Sequence, residues 1–131
     1  MKRFILCLFL TAVVTSCDPA SVMDANIENK TSQPLSLILF SSVVPNETLV
    51  LRPGETLLFQ EGFSSTGGFL EPSLMEFDSV YIESTSQEIL KVFDQNTAGK
   101  NIFNVDDYWI FSEPSKRFYK YDYQITAEDI E

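Results

Sequence analysis

Short segments in which apolar and polar residues alternate recur along this chain, and each of them predicts a β-strand. The clearest lies at residues 117–125, where Tyr119, Tyr121, Tyr123 and Ile125 share one side of the predicted strand. A side-chain period of two is typical of a strand with one face in the core and one in water. The tyrosine side is expected to pack against an opposite sheet; the alternative is an exposed face that binds sugar or protein.

Two pairs of segments predict β-hairpins. Residues 48–51 and 56–59 flank the sequence Arg-Pro-Gly-Glu at 52–55, which suits a type II turn because glycine at the third position takes a positive φ without strain. Residues 79–83 and 88–93 flank a polar Ser-Thr-Ser-Gln turn and predict a second hairpin.

Further strands are predicted at residues 23–30, 35–40 and 108–111, the last followed by a turn at 113–116, so that the chain has about eight short strands. No amphipathic helix is evident, and residues 126–131 are long enough for only one helical turn. Many short strands between regular turn signals predict an all-β fold with little helix, an antiparallel β-sandwich, with a small β-barrel as the alternative.

The beginning of the chain departs from this alternation. Met1, Lys2 and Arg3 form a basic head, and residues 4–14 are almost wholly apolar. That run is too short to span a hydrocarbon core, which needs about 20 helical residues. A basic head, an apolar middle and small residues before a break predict a secretory signal peptide.

The sequence Val-Thr-Ser-Cys at residues 14–17 resembles the lipobox of bacterial lipoproteins. The resemblance implies cleavage before Cys17 and attachment of diacylglycerol to its sulfur, together with fatty acyl chains such as palmitate. The alternative is an ordinary signal peptide with a chance cysteine. The expected organisation is a signal peptide at 1–16, the lipidated cysteine and a tether at 17–24, and a single β domain at 25–131.

The chain as a whole resembles the short, uncharacterised lipoproteins that are numerous in Bacteroidota, a resemblance that carries no activity. It implies an extracytoplasmic protein held at the cell envelope by its lipid, in the outer membrane rather than the inner. In the same resemblance, Asp-Ser-Val at residues 78–80 matches a short O-glycosylation pattern and makes Ser79 a candidate for modification. The alternative is that Ser79 is the first residue of a buried strand, which would hide it from a glycosyltransferase.

The charge balance excludes one class of partner. The chain has nine Lys plus Arg and nineteen Asp plus Glu; loss of Lys2 and Arg3 with the signal peptide leaves seven against nineteen, a net charge of −12. Such a domain is repelled by phosphate backbones and by anionic lipid headgroups, so nucleic acid is not an expected partner, whereas a cationic partner is allowed.

The residue types also exclude much catalytic chemistry. The chain has no histidine, and its two cysteines are Cys7, inside the signal peptide, and Cys17. Carboxylate pairs remain conceivable for glycoside hydrolysis, but Asp106 and Asp107 would point to opposite faces of a strand. A loop at residues 94–101 fails the calcium-loop pattern because Ala98 stands at a ligand position. We therefore expect no enzyme, no metal site and no cofactor.

One long segment, residues 60–77, lacks a clear period and contains three glycines. Long irregular loops are often functional, so Phe63, Phe69 and Leu70 are the candidate binding residues; the alternative is a cover whose aromatic residues plug the sandwich. The chain is thus predicted to be a lipid-anchored envelope protein with a non-enzymatic binding or structural role toward an envelope protein or glycan. The alternative is a small acidic inhibitor or immunity-type lipoprotein that blocks a cationic enzyme.

Overall fold

The computed structural model describes residues 19–131; residues 1–18, with the predicted signal peptide and Cys17, lie outside the described part. Its strands are β1 (Ser21–Asn29), β2 (Leu35–Phe40), β3 (Glu47–Leu51), β4 (Thr56–Ser64), β5 (Ser79–Ser84), β6 (Ile89–Phe93), β7 (Ile110–Ser115) and β8 (Phe118–Ile125). A one-turn helix, α1 (Val105–Tyr108), precedes β7, and a 3-10 turn at Ala127–Asp129, with Thr126 as its cap, follows β8.

The strands form two four-stranded sheets. Sheet A has the order β4–β1–β8–β7, and sheet B has the order β3–β2–β5–β6. All neighbouring strands are antiparallel except β1 and β8, which run parallel. Within residues 19–131 the sheets do not close on each other, so the predicted β-sandwich is confirmed and the barrel alternative is wrong.

The core lies between the sheets and is filled by alternate residues of the inner strands. β1 and β8 contribute Ile27 and Tyr123, and β2 and β5 contribute Leu37 and Ile82, all fully buried. Burial of each such side chain contributes about 1.5–3 kcal/mol, so the alternation fixes which face of a strand turns inward. The predicted inward packing of the tyrosine side of β8 is confirmed for Tyr121, Tyr123 and Ile125, which are buried, whereas Tyr119 is only half-buried.

The turn at residues 52–55 has the predicted geometry, but the hairpin predicted around it is wrong. Gly54 has a φ of 77°, and the Glu55 N–H donates to the Arg52 carbonyl at 3.0 Å. However, β3 pairs with β2 in sheet B, whereas β4 pairs with β1 in sheet A. The Gly54 N–H donates to the Asn29 carbonyl at the end of β1 at 2.7 Å, so the turn carries the chain from one sheet to the other. The hairpin predicted between β5 and β6 is confirmed.

The strand predicted at residues 108–111 begins later than expected, because a helical turn comes first. The Asn104 side chain accepts a hydrogen bond from the Asp107 N–H at 3.3 Å and caps α1, and two acidic residues in the first turn suit the positive end of the helix. Asp106 and Asp107 therefore lie on a helical turn and not on a strand. β7 then extends to Ser115, through most of the segment predicted as a turn.

The N-terminal boundary of the domain also differs from the prediction. β1 begins at Ser21, so residues 21–24 belong to sheet A and not to the tether predicted at 17–24. The reason is that Ser21 and Met23 are buried, and that their neighbours on β4 are Ser64 and Gly62. Any tether after Cys17 would therefore end at residue 20.

Candidate functional site: an aromatic patch and an acidic groove

The long loop predicted at residues 60–77 is partly strand. Residues 60–64 pair with β1, and Gly62 lies so close to Met23 that a Cβ there would be 2.9 Å from the methionine methyl carbon. This glycine permits close packing of β4 on β1 and gives no mobility to a loop. The connection from β4 to β5 is residues 65–78, here named the crossover segment.

The crossover segment is held in place along its length. The Ser21 hydroxyl donates to the Gly68 carbonyl at 2.5 Å, and the Tyr121 hydroxyl donates to the Leu70 carbonyl at 3.0 Å. Leu74 and Phe77 are buried in the core. The segment is therefore a fixed cover over the core, and the residues that seal it are Leu74 and Phe77.

The three residues predicted to bind a ligand lie in different surroundings. Phe63 is 69% exposed and pairs with Val22, whose side chain points to the outer face of sheet A. Phe69 is 63% exposed and packs on Tyr119, which belongs to the inward side of β8. Leu70 is half-buried against the core. Phe63 and Phe69 therefore belong to two separate surfaces.

Phe69 is part of a cluster of three partly exposed rings, here named the aromatic patch: Phe69, Phe111 and Tyr119. The centroid of the Phe69 ring lies 4.9 Å from that of Tyr119 and 6.0 Å from that of Phe111, and the rings of Phe111 and Tyr119 are stacked at 6.2 Å. Phe111 is 48% exposed on the edge strand β7, and its ring also contacts buried Tyr121 at 5.1 Å. The patch thus stands on the core and remains open to solvent.

Tyr121 connects the patch to a groove with acidic walls. Burial, together with the nearby carboxylates of Glu71 and Asp106, raises the pKa of the Tyr121 hydroxyl to about 12. Both carboxylates line an open groove of about 580 Å³ between the crossover segment and α1. A ligand that covers the rings therefore meets carboxylate acceptors beside them, which suits sugar hydroxyls or the cationic side chains of a protein.

Phe111 was not among the residues predicted to bind. Its segment was predicted to be a strand, but the sequence did not show that this strand lies at the edge of a sheet. The structure shows that β7 is an edge strand in which all six residues are exposed. Of the other predicted sites, Ser79 is half-buried at the start of β5, opposite Phe40 of β2. The predicted lipidation site, Cys17, lies outside the described residues.

Between residues 19 and 131 no three His, Cys, Asp or Glu side chains are grouped so that they could hold a metal ion. In the same part of the chain no helix has the length and apolar character needed to span a membrane.

Comparison of the chain with known protein families, with curated proteins and with solved structures finds no match in any of the three. Function must therefore be inferred from the patch, the groove and the sequence that precedes them.

Proposed function

We propose that this chain is a lipid-anchored, non-enzymatic protein of the bacterial cell envelope that binds an envelope protein or glycan through the aromatic patch. The observation that carries the proposal is the patch itself: three rings in mutual contact, partly exposed, and supported from below by buried Tyr121. Clustered aromatic side chains on a rigid base are typical of binding surfaces, because they supply large contact area with little loss of conformational entropy.

The anchor is supported by the basic head, the short apolar run and the lipobox-like sequence that ends at Cys17. Acylation at this cysteine would place the domain on the periplasmic or outer side of a membrane, in the outer membrane by resemblance to Bacteroidota lipoproteins. Two or more acyl chains hold a protein stably on a bilayer, whereas one gives only marginal binding.

A binding role is favoured over catalysis by the residue types available. The chain has no histidine, and its cysteines are Cys7 in the predicted signal peptide and Cys17. The two groove carboxylates, Glu71 and Asp106, are both exposed, whereas the general acid of a glycosidase typically lies in an apolar pocket.

Binding can be tested with lipidated protein reconstituted in vesicles and incubated with envelope extracts of the native host. The double variant Phe69→Ala, Phe111→Ala is expected to lose at least about 2 kcal/mol of binding, roughly 30-fold in affinity. The control is Val50→Ala, at an equally exposed apolar residue on β3 of the other sheet. Equal capture by wild type and the double variant would contradict the patch as the binding site, and protease treatment of the extract distinguishes a protein from a glycan.

The second candidate is a small acidic inhibitor or immunity-type lipoprotein, and it is favoured by the net charge of −12 after removal of the signal peptide. Complementary charge accelerates association with a cationic enzyme, and the gain is screened by salt. Association that slows steeply with salt and is kept by the Phe69→Ala, Phe111→Ala variant would favour this candidate, whereas association that this variant loses would favour the first.

Ser79 remains a proposed site of O-glycosylation. Ser79 is half-buried at the first residue of β5, as are Tyr81, Glu83 and Ser84, whereas Val80 and Ile82 of the same strand are buried. The mass of the intact protein from the native host tests the modification, and an unmodified peptide that spans residue 79 would contradict it.

A further inference from the structure

The outer face of sheet A carries a row of apolar side chains at one end. Phe63 on β4, Val22 on β1 and Phe118 on β8 occupy paired positions and therefore point to the same side of the sheet. Phe63 is 69% exposed and Val22 is 42% exposed. The three side chains line an open groove of about 640 Å³, and they are here named the terminal row.

The described chain begins at the end of the sheet that bears this row. The Val22 N–H donates to the Arg117 carbonyl at 2.9 Å, and Pro19 lies so close to Gly67 that a Cβ there would be 1.9 Å from the proline carbonyl oxygen. Cys17 is five residues before Val22, and an extended chain covers at most about 3.6 Å per residue. The sulfur that we propose to be acylated is therefore within about 20 Å of the terminal row.

The outer face of sheet A becomes charged at the next outward-facing positions along the strands. The next paired positions are Glu61, Asp24 and Lys120, all charged. Two residues along a strand correspond to about 7 Å, so the contiguous apolar band at the rim is shallow. The other exposed apolar residues of this face, Leu58 and Ile110, lie beyond the charged positions. Lys116 and Arg117 lie in the turn beside Phe118, so the rim carries positive charge that suits lipid phosphates, although the net charge of the domain, −12, opposes anionic headgroups.

We propose that the terminal row inserts into the boundary between headgroups and acyl chains of the bilayer that holds Cys17. The proposal rests on the proposed lipid anchor, and it adds a defined orientation of the domain. An apolar layer that reaches about 5–10 Å into the interface, with charges directly above it, matches the depth at which peripheral proteins lie. The aromatic patch is on the inward side of sheet A, so this orientation leaves it accessible to a partner.

The orientation can be measured with single fluorescent labels on the lipidated protein. Because acylation would block Cys17 and cleavage would remove Cys7, an introduced cysteine is the single free thiol. Phe63→Cys and the control Val50→Cys are each labelled with an environment-sensitive dye and bound to vesicles of phosphatidylethanolamine and phosphatidylglycerol. The label at residue 63 is expected to shift to shorter emission wavelength and to be quenched by lipids with a nitroxide on the acyl chain.

The label at residue 50 is expected to keep the emission of a dye in water and to escape quenching, because β3 belongs to sheet B. If the label at residue 63 also reports water while the protein floats with the vesicles, the insertion of the terminal row is contradicted and the anchor stands. If both labels report the membrane, insertion is not specific to the row and the inference is again contradicted. If the proposed anchor itself is wrong, the protein lacks the added mass of the acyl chains and does not float with the vesicles, so the two failures are distinguishable.

Discussion

Two core tyrosines, Tyr121 and Tyr123, have their hydroxyls in different environments. The Tyr121 hydroxyl donates to the Leu70 carbonyl, whereas the buried Tyr123 hydroxyl has no hydrogen-bond partner among the described residues. Burial, and next to it the Asp129 carboxylate, raises the pKa of Tyr123, so its hydroxyl stays neutral across the physiological range. The Lys100 amine, 5.2 Å from the centre of the Tyr123 ring, bonds instead to Asp129 at 2.6 Å.

Removal of the two hydroxyls should therefore have opposite consequences. Tyr121→Phe is expected to lower the free energy of unfolding by about 0.5–1.5 kcal/mol, because it leaves the Leu70 carbonyl without its donor. Tyr123→Phe is expected to leave stability unchanged or raise it by about 1 kcal/mol, because it removes a buried polar atom that lacks a partner. Urea unfolding of both variants measures the difference, and a loss of stability in Tyr123→Phe would show that its hydroxyl does bond in solution.

Among the elements, the crossover segment is fixed at its start by the backbone before β1. Gly67 has a φ of 74° and lies against Pro19, whereas Gly99 has a φ of 76° with nothing nearby that a Cβ would meet. A side chain at either position would therefore impose the same backbone strain from the positive φ. At Gly67 alone it would also collide with a neighbouring residue.

This pair gives a prediction for the contact between Gly67 and Pro19. Gly99→Ala is expected to cost about 1 kcal/mol from the left-handed backbone alone. Gly67→Ala is expected to cost clearly more, because Pro19 and the crossover segment must separate. Thermal unfolding of both variants measures the two losses, and equal losses would mean that the segment at residue 67 is free of Pro19.

The crossover segment also contains one exposed and one buried phenylalanine, which should differ in their effect on stability. Phe77→Ala is expected to lower stability by about 3–5 kcal/mol, because it opens a cavity in the core. Phe69→Ala is expected to lower the melting temperature by less than about 4–8 °C, which corresponds to 1 kcal/mol in a domain near 100 residues. Calorimetry separates the two, and a large loss from Phe69→Ala would make that ring a structural plug and not part of a binding surface.

The sequence predicted the strands better than their partners. The alternation of β1 and β8 was readable because a buried face forces a period of two. β2 was readable as a short apolar run, too short for a helix. The turn at residues 52–55 was readable too, since Gly54 satisfies a local requirement for positive φ. Which sheet β4 joins depends on contacts with β1, whose paired residues lie 28 to 43 positions earlier, and local turn chemistry contains no information about such a pairing.

The candidate site was only partly predictable for the same reason. Phe69 could be selected because it stands in an irregular segment with glycines. Phe111 and Tyr119 had to be placed beside it by the position of β7 at the sheet edge and by the path of the crossover segment. Phe63 was selected on the same grounds as Phe69, but the extension of β4 moves it to the opposite side of sheet A.

For the whole molecule, the anchor and the terminal row have different roles. Partial burial of Phe63, Val22 and Phe118 can contribute only a few kcal/mol, at about 1.5–3 kcal/mol for each side chain fully buried. Two acyl chains contribute about 0.8 kcal/mol for every buried methylene and so exceed this several-fold. If both proposals hold, acylation decides whether the protein stays on the membrane, while the terminal row decides how the domain lies there.

Loss of the acylation site should consequently release the protein even though the terminal row is intact. Cys17→Ala is expected to yield either soluble protein or an uncleaved precursor, and the mass of the product distinguishes these forms. The control is Phe63→Ala, which keeps the lipid and is expected to stay with the membrane fraction in high salt. Sedimentation of the Cys17→Ala protein with membranes in high salt, without its signal peptide, would contradict the lipid anchor and leave the domain to be held by another contact.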